Sequence, residues 1–279
     1  MSRAAAIAQR GYYRERSPLQ RSSTRYEVTQ CLYARRTDSA STVIIENPEY
    51  GRMLFLDGEL QSASYDEAIY HETLVHPLMN ALNHIDDKAV LIVGGAEGAT
   101  LREVLKWGHN KVRRVDWVDI DRSLVDVCRQ RLRYTGASTY NDSSMTFHGL
   151  DIMAFLREHR TRYDCIIIDL PDPDPNEQVL YGTEFWQLIR EHLKQGGGIV
   201  THTGPVEPGI SRHQGMDIVR TNAGAGVPYH TLIPSFQGEW GFWMSISPRV
   251  VTEFPDSCSV MTNQYQSTIF HWDRHWHIT

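Results

Sequence analysis

Four acidic side chains follow apolar segments of this sequence, at the points where strands are expected to end. Glu97 follows residues 90–93, Asp119 lies near the end of 115–120, Asp151 follows 145–148, and Asp169 follows 164–168. Carboxylates accept hydrogen bonds from hydroxyl and amino groups and attract cationic nitrogens. The pattern predicts a site for a ligand that combines hydroxyls, an adenine amino group and positive charge.

Strands and helices alternate between residues 90 and 201, which predicts a Rossmann-like, doubly wound α/β sheet. Its first unit is VLIVGGAEGATLREV, a strand, a glycine-rich turn with Gly94 and Gly95, and an amphipathic helix. Such a turn lets the backbone approach a nucleotide, and Asp119 after the second strand is typical of a ribose partner. Because ligands bind beyond the carboxyl ends of parallel strands, the four acidic groups are expected on one rim.

The other elements follow from periodicity and turn residues. We expect helices at 63–83, 124–132, 152–159, 184–193 and around 217–220, a strand at 199–201 after the glycines 196–198, and antiparallel strands at 229–233 and 240–247. Residues 42–45 and 52–56 flank a turn at 47–51, which predicts a hairpin that must pack on the main domain or on another subunit. The resulting division is a mobile or weakly helical arm at 1–25, a small β domain at 26–63 and a catalytic domain at 64–279.

Composition limits the function classes. The chain has 41% hydrophobic residues and a net charge of −6, which argues against nucleic acid and permits a cationic substrate. No apolar run approaches the roughly 18 residues of a membrane span, and the N-terminus does not resemble a signal peptide. Four cysteines without a CxxC motif predict a reduced, cytoplasmic setting. His271, His275 and His277 lack spaced acidic or cysteine partners, so no metal site is expected.

Six blocks of this sequence, in order, resemble the spermidine synthase-like aminopropyltransferases. They are YGRMLFLDGELQ at 50–61, SYDEAIYHETLVHPL at 64–78, GGAEGATLREVLK at 94–106, VDID at 118–121, DLPDPDP at 169–175 and IPSFQGEWGF at 233–242. The resemblance implies a methyltransferase-type Rossmann-like sheet and a homodimer or homotetramer. It also implies transfer of an aminopropyl group from decarboxylated S-adenosylmethionine to an amine, releasing methylthioadenosine, with no tightly bound cofactor.

The resemblance and the chemistry together suggest roles for individual residues. The sulfonium donor needs little activation, whereas an alkylamine, with a pKa of about 10, is mostly protonated at neutral pH. Asp169 is the expected base and Tyr70 its catalytic partner. The resemblance implies acceptor contacts from a set of four residues: Gln61, His71, Asp172 and Phe236. It implies donor contacts from a set of six: Gly94, Gly95, Glu97, Asp119, Asp151 and Pro175.

Glu97 is the residue that bears on donor choice, because a carboxylate in the turn would attract a free ammonium and repel a donor carboxylate. Several positions depart from the family pattern: Ala96 in the glycine turn, Ala40 in place of a glutamine, the DLPDPDP loop, and Phe236 in place of a frequent tyrosine. These departures leave the acceptor open among putrescine, agmatine, spermidine and an unusual amine. They also leave two alternatives: a divergent transferase that uses intact S-adenosylmethionine, and an inactive binding protein.

Overall fold

The computed structural model describes residues 3–17, 22–133, 135–174, 179–207, 213–248 and 254–272. The helices are α1 Arg3–Arg10, α2 Glu67–Ala81, α3 Ala99–Leu105, α4 Arg122–Arg131, α5 Ala137–Tyr140, α6 Ile152–Glu158, α7 Thr183–Glu191, α8 Gln214–Ala223 and α9 Asn263–Ile269, with a 3-10 turn at Pro234–Phe236. The strands are β1 Tyr12–Ser17, β2 Ser22–Glu27, β3 Gln30–Arg36, β4 Ser41–Asn47, β5 Gly51–Leu56, β6 Glu59–Ala63, β7 Lys88–Gly94, β8 Val112–Val118, β9 Met145–His148, β10 Tyr163–Asp169, β11 Leu193–Val206, β12 Val227–Ile233 and β13 Gly238–Met244.

The main sheet has seven strands in the order β12-β13-β11-β10-β7-β8-β9. The five strands from β11 to β9 are parallel, and β13 and β12 complete one edge antiparallel. Strand β7 is buried throughout because helices cover both faces of the sheet. The rim at the carboxyl ends of β7, β8 and β10 therefore brings together the turn after Gly94, Asp119 and Asp169.

The small N-terminal sheet, in the order β3-β4-β5-β6, is covered on both faces. Successive residues of a strand point to opposite sides. Ile44 and Leu54 belong to the core of the main domain, whereas Val43 and Phe55 belong to a separate apolar cluster. The hairpin at 42–56 was expected to pack on the main domain or on another subunit, and it packs on the main domain.

The described residues of the predicted arm form regular structure that closes this second cluster. Helix α1 packs on β3, and β1 pairs with β2 in an antiparallel hairpin that includes residue 26. Ile7, Tyr13 and Tyr26 are buried among the apolar residues of the small sheet. Burial of these side chains explains why a segment with weak sequence periodicity is nevertheless folded against its neighbour.

Most predicted elements of the main domain occur within a few residues of their expected bounds. The strand predicted at 199–201 was placed too narrowly, since β11 spans Leu193–Val206 and runs through the three glycines. The parallel ladder pairs Gly198 with Cys165 and Ile199 with Ile166, and these main-chain bonds extend the strand where side-chain pattern suggested a turn. None of the described helices is long and apolar enough to cross a membrane.

Candidate active site

Asp169 is the last residue of β10, and its two carboxylate oxygens have different neighbours. The Tyr70 hydroxyl donates to Oδ1 at 2.8 Å, and the Thr100 hydroxyl donates to Oδ2 at 2.5 Å. Helices α2 and α3 supply these donors, so the carboxylate is held by two elements besides its own strand. A carboxylate has about four acceptor positions, and Asp169 therefore keeps capacity to accept a hydrogen bond from a ligand.

The glycine-rich turn lies directly against Asp169. The Gly95 N–H donates to the main-chain oxygen of Asp169 at 2.9 Å. Gly94 has a φ of +82°, and a Cβ atom there would lie 2.2 Å from the same oxygen. Only glycine satisfies both the left-handed backbone and this close approach. The turn and the candidate base are thus one rigid unit.

Tyr70 faces several aromatic rings that form one wall of the cleft. Its ring centroid lies 5.6 Å from that of Phe242, 5.9 Å from His202 and 6.1 Å from Phe236. Desolvation raises the pKa of Tyr70 well above its usual value, and the adjacent Asp169 carboxylate adds to the effect. The phenol therefore remains a hydrogen-bond donor at all physiological pH values.

His71, in contrast, is a buried cation. Its Nδ1 lies 2.7 Å from the main-chain oxygen of Glu67 and 3.0 Å from Glu67 Oε2, and its Nε2 lies 3.5 Å from Glu97 Oε2. Burial acts to lower the pKa of His71, but the hydrogen bonds and charges of Glu67 and Glu97 outweigh it and raise the pKa to about 10. Arg102 also binds Glu67 through two nitrogens, at 2.8 and 2.9 Å. The cluster holds two carboxylates and two cations.

Glu97 is tied into this cluster from the glycine-rich turn. Its carboxylate accepts a hydrogen bond from the Ser62 hydroxyl as well as facing His71. Its main-chain oxygen accepts from the Tyr140 hydroxyl at 2.8 Å. The structure thus fixes the Glu97 side chain between the small N-terminal sheet and α2, at the start of α3.

Asp119 lies beyond the end of β8. Its Oδ1 accepts from the N–H of Asp121 at 2.8 Å. Desolvation is the main reason why the pKa of Asp119 is raised to about 7. The hydrogen bond from Asp121 lowers the pKa, whereas the negative charges of Asp121, Asp169 and Glu97 raise it. Asp151 is exposed, and its Oδ1 accepts from the Ala154 N–H as the N-cap of α6. Both predicted donor-binding acids are therefore on the expected rim.

Asp172 lies three residues beyond Asp169 and faces β11. Its side chain is 31% exposed, and its Oδ1 lies 3.5 Å from His202 Nδ1. Desolvation raises the pKa of Asp172, and His202 opposes that rise. Pro175, the last residue of the predicted DLPDPDP loop, lies outside the described residues.

The predicted acceptor residues Gln61 and Phe236 line one shallow pocket with Tyr70 and His71. The pocket lies between β6, the first turn of α2 and the 3-10 turn. Asp66 also lines this pocket, and its carboxylate accepts from the Ser235 N–H at 2.7 Å and the Ser235 hydroxyl at 2.8 Å. Two segments far apart in the chain, 61–71 and 233–236, thus line this pocket, and Tyr70 connects it to Asp169.

The residues of this region that sequence reasoning missed include His202, Asp121 and Trp240. His202 and Trp240 face each other across the cleft wall with ring centroids 6.4 Å apart. The Asp121 carboxylate accepts from the Thr37 hydroxyl and the Ser39 N–H, which docks the small sheet beside Asp119. The available signal for His202 was a histidine inside the apolar segment IVTHTGPV. Asp121 gave no such signal, because its partners Thr37 and Ser39 lie 84 and 82 positions away in the chain.

Among the described residues, Glu72, His76 and Cys258 have potential metal-ligand atoms within 4.8 Å of one another. The Trp107 indole N–H donates to His76 Nδ1 at 3.0 Å, so the ring proton is on Nε2, which lies 2.9 Å from Glu103. A metal bound at Nε2 would require the ring proton to be on Nδ1. The Nδ1–H would then face the Trp107 indole N–H, and two donors cannot form a hydrogen bond. The Glu72 carboxylate accepts three successive main-chain N–H groups of the C-terminal segment. The geometry favours a structural hydrogen-bond cluster.

The family described as "Spermine/spermidine synthase domain" matches residues 67–255, which is more than half of the chain. The chain belongs to this spermine/spermidine synthase family. A second family description, "Spermidine synthase tetramerisation domain", matches residues 11–64. The predicted family membership is therefore confirmed.

Relatives extend this result. A polyamine aminopropyltransferase of Saccharolobus solfataricus is 36% identical over 233 residues, covering 81% of this chain and 75% of the relative. Polyamine aminopropyltransferase 2 of Pseudomonas aeruginosa is 36% identical over 227 residues, covering 79% of this chain and 63% of that protein. The prediction of an aminopropyltransferase-type enzyme agrees with these family relatives and is confirmed.

Two solved structures share the fold. A spermidine synthase in complex with the transition-state analogue AdoDATO has a TM-score of 0.81 at 23% identity, covering 94% of this chain and 92% of that one. The spermidine synthase from Thermotoga maritima has a TM-score of 0.79 at 22% identity, covering 95% and 93%. The predicted fold class, a methyltransferase-like α/β sheet with a small antiparallel N-terminal sheet, is confirmed.

Proposed function

We propose that this enzyme moves the aminopropyl group of decarboxylated S-adenosylmethionine to a small-molecule amine. The amine nitrogen attacks the carbon attached to the sulfonium, a C–N bond forms and the C–S bond breaks. The electron pair of that bond returns to sulfur, and methylthioadenosine leaves as a neutral thioether. The proton lost by the nitrogen passes to the Asp169 carboxylate.

The observation that carries this proposal is the environment of Asp169. Its carboxylate combines a rigid strand end, two hydroxyl donors and direct contact with the glycine turn of the donor site. A base fixed beside the electrophile can orient the amine lone pair while it removes the proton. Tyr70 supplies one of the two donors, which supports its proposed catalytic role.

The donor site is proposed on the rim that carries Gly94, Gly95, Glu97, Asp119 and Asp151. Asp119 would accept hydrogen bonds from ribose hydroxyls, and Asp151 would face the adenine. Glu97 would bind the free ammonium of the donor. Decarboxylated S-adenosylmethionine is a co-substrate in this proposal, and no tightly bound cofactor is needed.

The acceptor site is proposed beside Tyr70 and Phe236, in the pocket that also includes Gln61 and His71. Asp172 would bind the cationic end of the amine. The aromatic wall would contact its methylene groups, because alkylamines combine an apolar chain with charged ends. Putrescine, agmatine and related polyamines all have this chemistry.

A second candidate function is transfer from intact S-adenosylmethionine. The observation that favours it is the His71 imidazolium, which lies 3.5 Å from Glu97 and compensates the charge that would repel a donor carboxylate. The Ser62 hydroxyl donates to the Glu97 carboxylate as well, which keeps that acceptor group in the turn and supports the decarboxylated donor instead.

The test is incubation of the purified protein with each donor against a panel of amines, with products read by mass spectrometry. We expect an added aminopropyl group with decarboxylated donor only. Calorimetry with both donors should give tighter binding of the decarboxylated form. Equal affinities, or product only with the intact donor, would replace the aminopropyl proposal by the second candidate.

A further inference from the structure

His202 occupies an unusual position between two acceptors in the loop that follows β10. Its Nε2 lies 2.5 Å from the main-chain oxygen of Leu170 and must therefore donate a proton. Its Nδ1 lies 3.5 Å from Asp172 Oδ1, and the side chain is only 4% exposed. One imidazole ring thus contacts the loop at two points, two residues apart.

The Nδ1 atom of His202 is buried and has no hydrogen-bond partner among the described residues apart from this carboxylate approach. A neutral ring would place a lone pair against an ionised carboxylate, which is repulsive. A proton on Nδ1 converts the contact into a charge-assisted pair. With Nε2 already protonated, the ring is then an imidazolium.

Strand β11 is shaped to bring Asp172 against it. Its pairing with β13 shifts register between His202 and Gly204, and a Cβ atom at Gly204 would lie 3.3 Å from Asp172 Cγ and Oδ2. The absence of a side chain at Gly204 lets the carboxyl group lie beside the strand, with its Oδ1 directed toward His202. Local geometry therefore sets both the position and the direction of Asp172.

We infer that His202 is a positioning residue of this site: its doubly protonated ring clamps the loop after β10 and holds Asp172 as a carboxylate for a cationic acceptor. The role in acceptor binding rests on the proposed function. The inferred protonation of the ring does not, because it is based on the Leu170 oxygen and the Asp172 carboxylate that the ring faces.

Other titratable groups face the same carboxyl group. Tyr70 on α2 and Tyr181 before α7 interact with Asp172 as neutral phenols whose pKa values are raised by desolvation, and Glu59 on β6 adds a like charge. On the His202 side, strand β13 contributes the neutral Trp240 ring, which stacks on the imidazole. Among the described residues, the basic side chain that acts on Asp172 is His202. Its removal should therefore raise the pKa of Asp172 further, because desolvation would act unopposed.

The kinetic test compares His202→Gln and His202→Ala with wild type over a range of pH. Glutamine keeps a donor for the Leu170 oxygen but carries no charge. We expect the acceptor KM to rise about tenfold or more in both variants, as for loss of one charge-assisted hydrogen bond. The acid limb of kcat/KM for the amine should move to higher pH, while the donor Kd stays unchanged.

The matched control is His109→Gln. His109 Nε2 lies 3.6 Å from Asp142, a similar imidazole–carboxylate pair, but its side chain is 65% exposed and lies in the loop before β8, away from the strand ends that form the rim. This control should keep the wild-type KM and acid limb. If His202→Gln also keeps both, the inference is overturned.

A measurement on the full chain separates the inference from the proposed function. In ¹⁵N-labelled wild type at neutral pH, NMR should show His202 with protons on both ring nitrogens, and Asp172→Asn should remove the one on Nδ1. An unprotonated Nδ1 in wild type would overturn the inference, whether or not any amine is a substrate. Failure of the whole amine panel with doubly protonated His202 would instead reject the proposed function alone.

Discussion

At the scale of single residues, carboxylates that look alike in the sequence have different environments in the site. Asp169 is held by two hydroxyl donors at a strand end. Asp172 lies on the following loop against one imidazole. Glu97 faces a cation and a hydroxyl. The proposed roles of base and binding group therefore follow from the environments of these carboxylates and not from residue type.

The first residue-scale prediction concerns Asp169→Asn. The change keeps shape but removes the basic oxygen, and general-base assistance is typically worth about 100- to 10,000-fold in rate. We expect kcat to fall by that order in steady-state assays while the donor Kd from calorimetry is retained. The control is Asp86→Asn, because Asp86 is an exposed acid just before β7, at the opposite end of the parallel strands from Asp169. Near-full turnover of Asp169→Asn between about pH 7 and 9 would show that another group is the base.

The second concerns Asp172→Asn. The amide cannot pair with an ammonium, so we expect the acceptor KM to rise about tenfold or more, with a smaller effect on kcat. Steady-state kinetics with the best amine of the panel measures both constants. A normal KM with a large loss of kcat in this variant would indicate that Asp172 is the base and that Asp169 binds the acceptor.

At the scale of elements, the turn between β7 and α3 and the strand β10 form one unit. A substitution in the turn should therefore disturb the base through backbone contact. Two glycines offer a matched pair, because Gly94 and Gly108 have φ values of +82° and +75°. A Cβ atom at Gly94 would meet the Asp169 main chain, whereas one at Gly108 would meet nothing within 4 Å.

We predict that Gly108→Ala costs about 1 kcal/mol of unfolding free energy from left-handed strain alone and leaves kcat intact. Gly94→Ala should cost several times as much, about 3 kcal/mol or more, since main-chain atoms must move. It should also lower kcat. Urea denaturation and steady-state kinetics on both variants test this. Equal losses of stability would show that the contact with Asp169 is easily relieved.

Helix α2 carries a second element-scale prediction through His71. Its pKa of about 10 in the folded protein lies above the unfolded value of about 6.5. The folded state binds the proton more tightly, so the stabilisation is fully present below about pH 6.5 and disappears as pH rises through about 10. The unfolding free energy of wild type should therefore fall across that window by a few kcal/mol, at about 1.4 kcal/mol per pKa unit.

His71→Gln should flatten this dependence, and His109→Gln should retain it. Urea denaturation at about pH 6, 8 and 10 gives the three curves. Parallel curves for wild type and His71→Gln would mean that Glu67 and Glu97 do not hold a charged imidazole.

At the scale of the whole molecule, the small N-terminal sheet connects the site to assembly. One face of that sheet joins the main core and the other is covered by α1 and the β1–β2 hairpin. Its Thr37 turn docks on Asp121, and its Ser62 binds Glu97. The unit therefore contacts the rim of the main sheet at Asp121 and Glu97 within one chain.

We propose, from the match of residues 11–64 to a tetramerisation domain, that the protein is a homodimer or homotetramer with this unit in the contact. Light scattering should give at least twice the 32.0 kDa chain mass. A chain that begins at residue 64 should lose both assembly and donor binding. A monomeric mass for the full chain at assay concentration would contradict this prediction.

The sequence by itself determined the main sheet, since apolar runs, glycine turns and helical periodicity are local signals that repeat along the chain. It also placed Glu97, Asp119, Asp151 and Asp169 on one rim, because parallel strands end together. The strand β9 was predicted with the bounds it has, Met145–His148. Family blocks added the chemistry that these local patterns leave open.

Only the tertiary structure decided how those groups are charged and aimed. Asp169 contacts Tyr70 and Thr100, which precede it in the chain by 99 and 69 positions. The pairing of His202 with Asp172 depends on a register shift in β11, and His71 becomes a cation because Glu67 and Glu97 meet around it. Hydrogen bonds and desolvation act over a few ångströms in space, and no spacing along the chain encodes which side chains come that close.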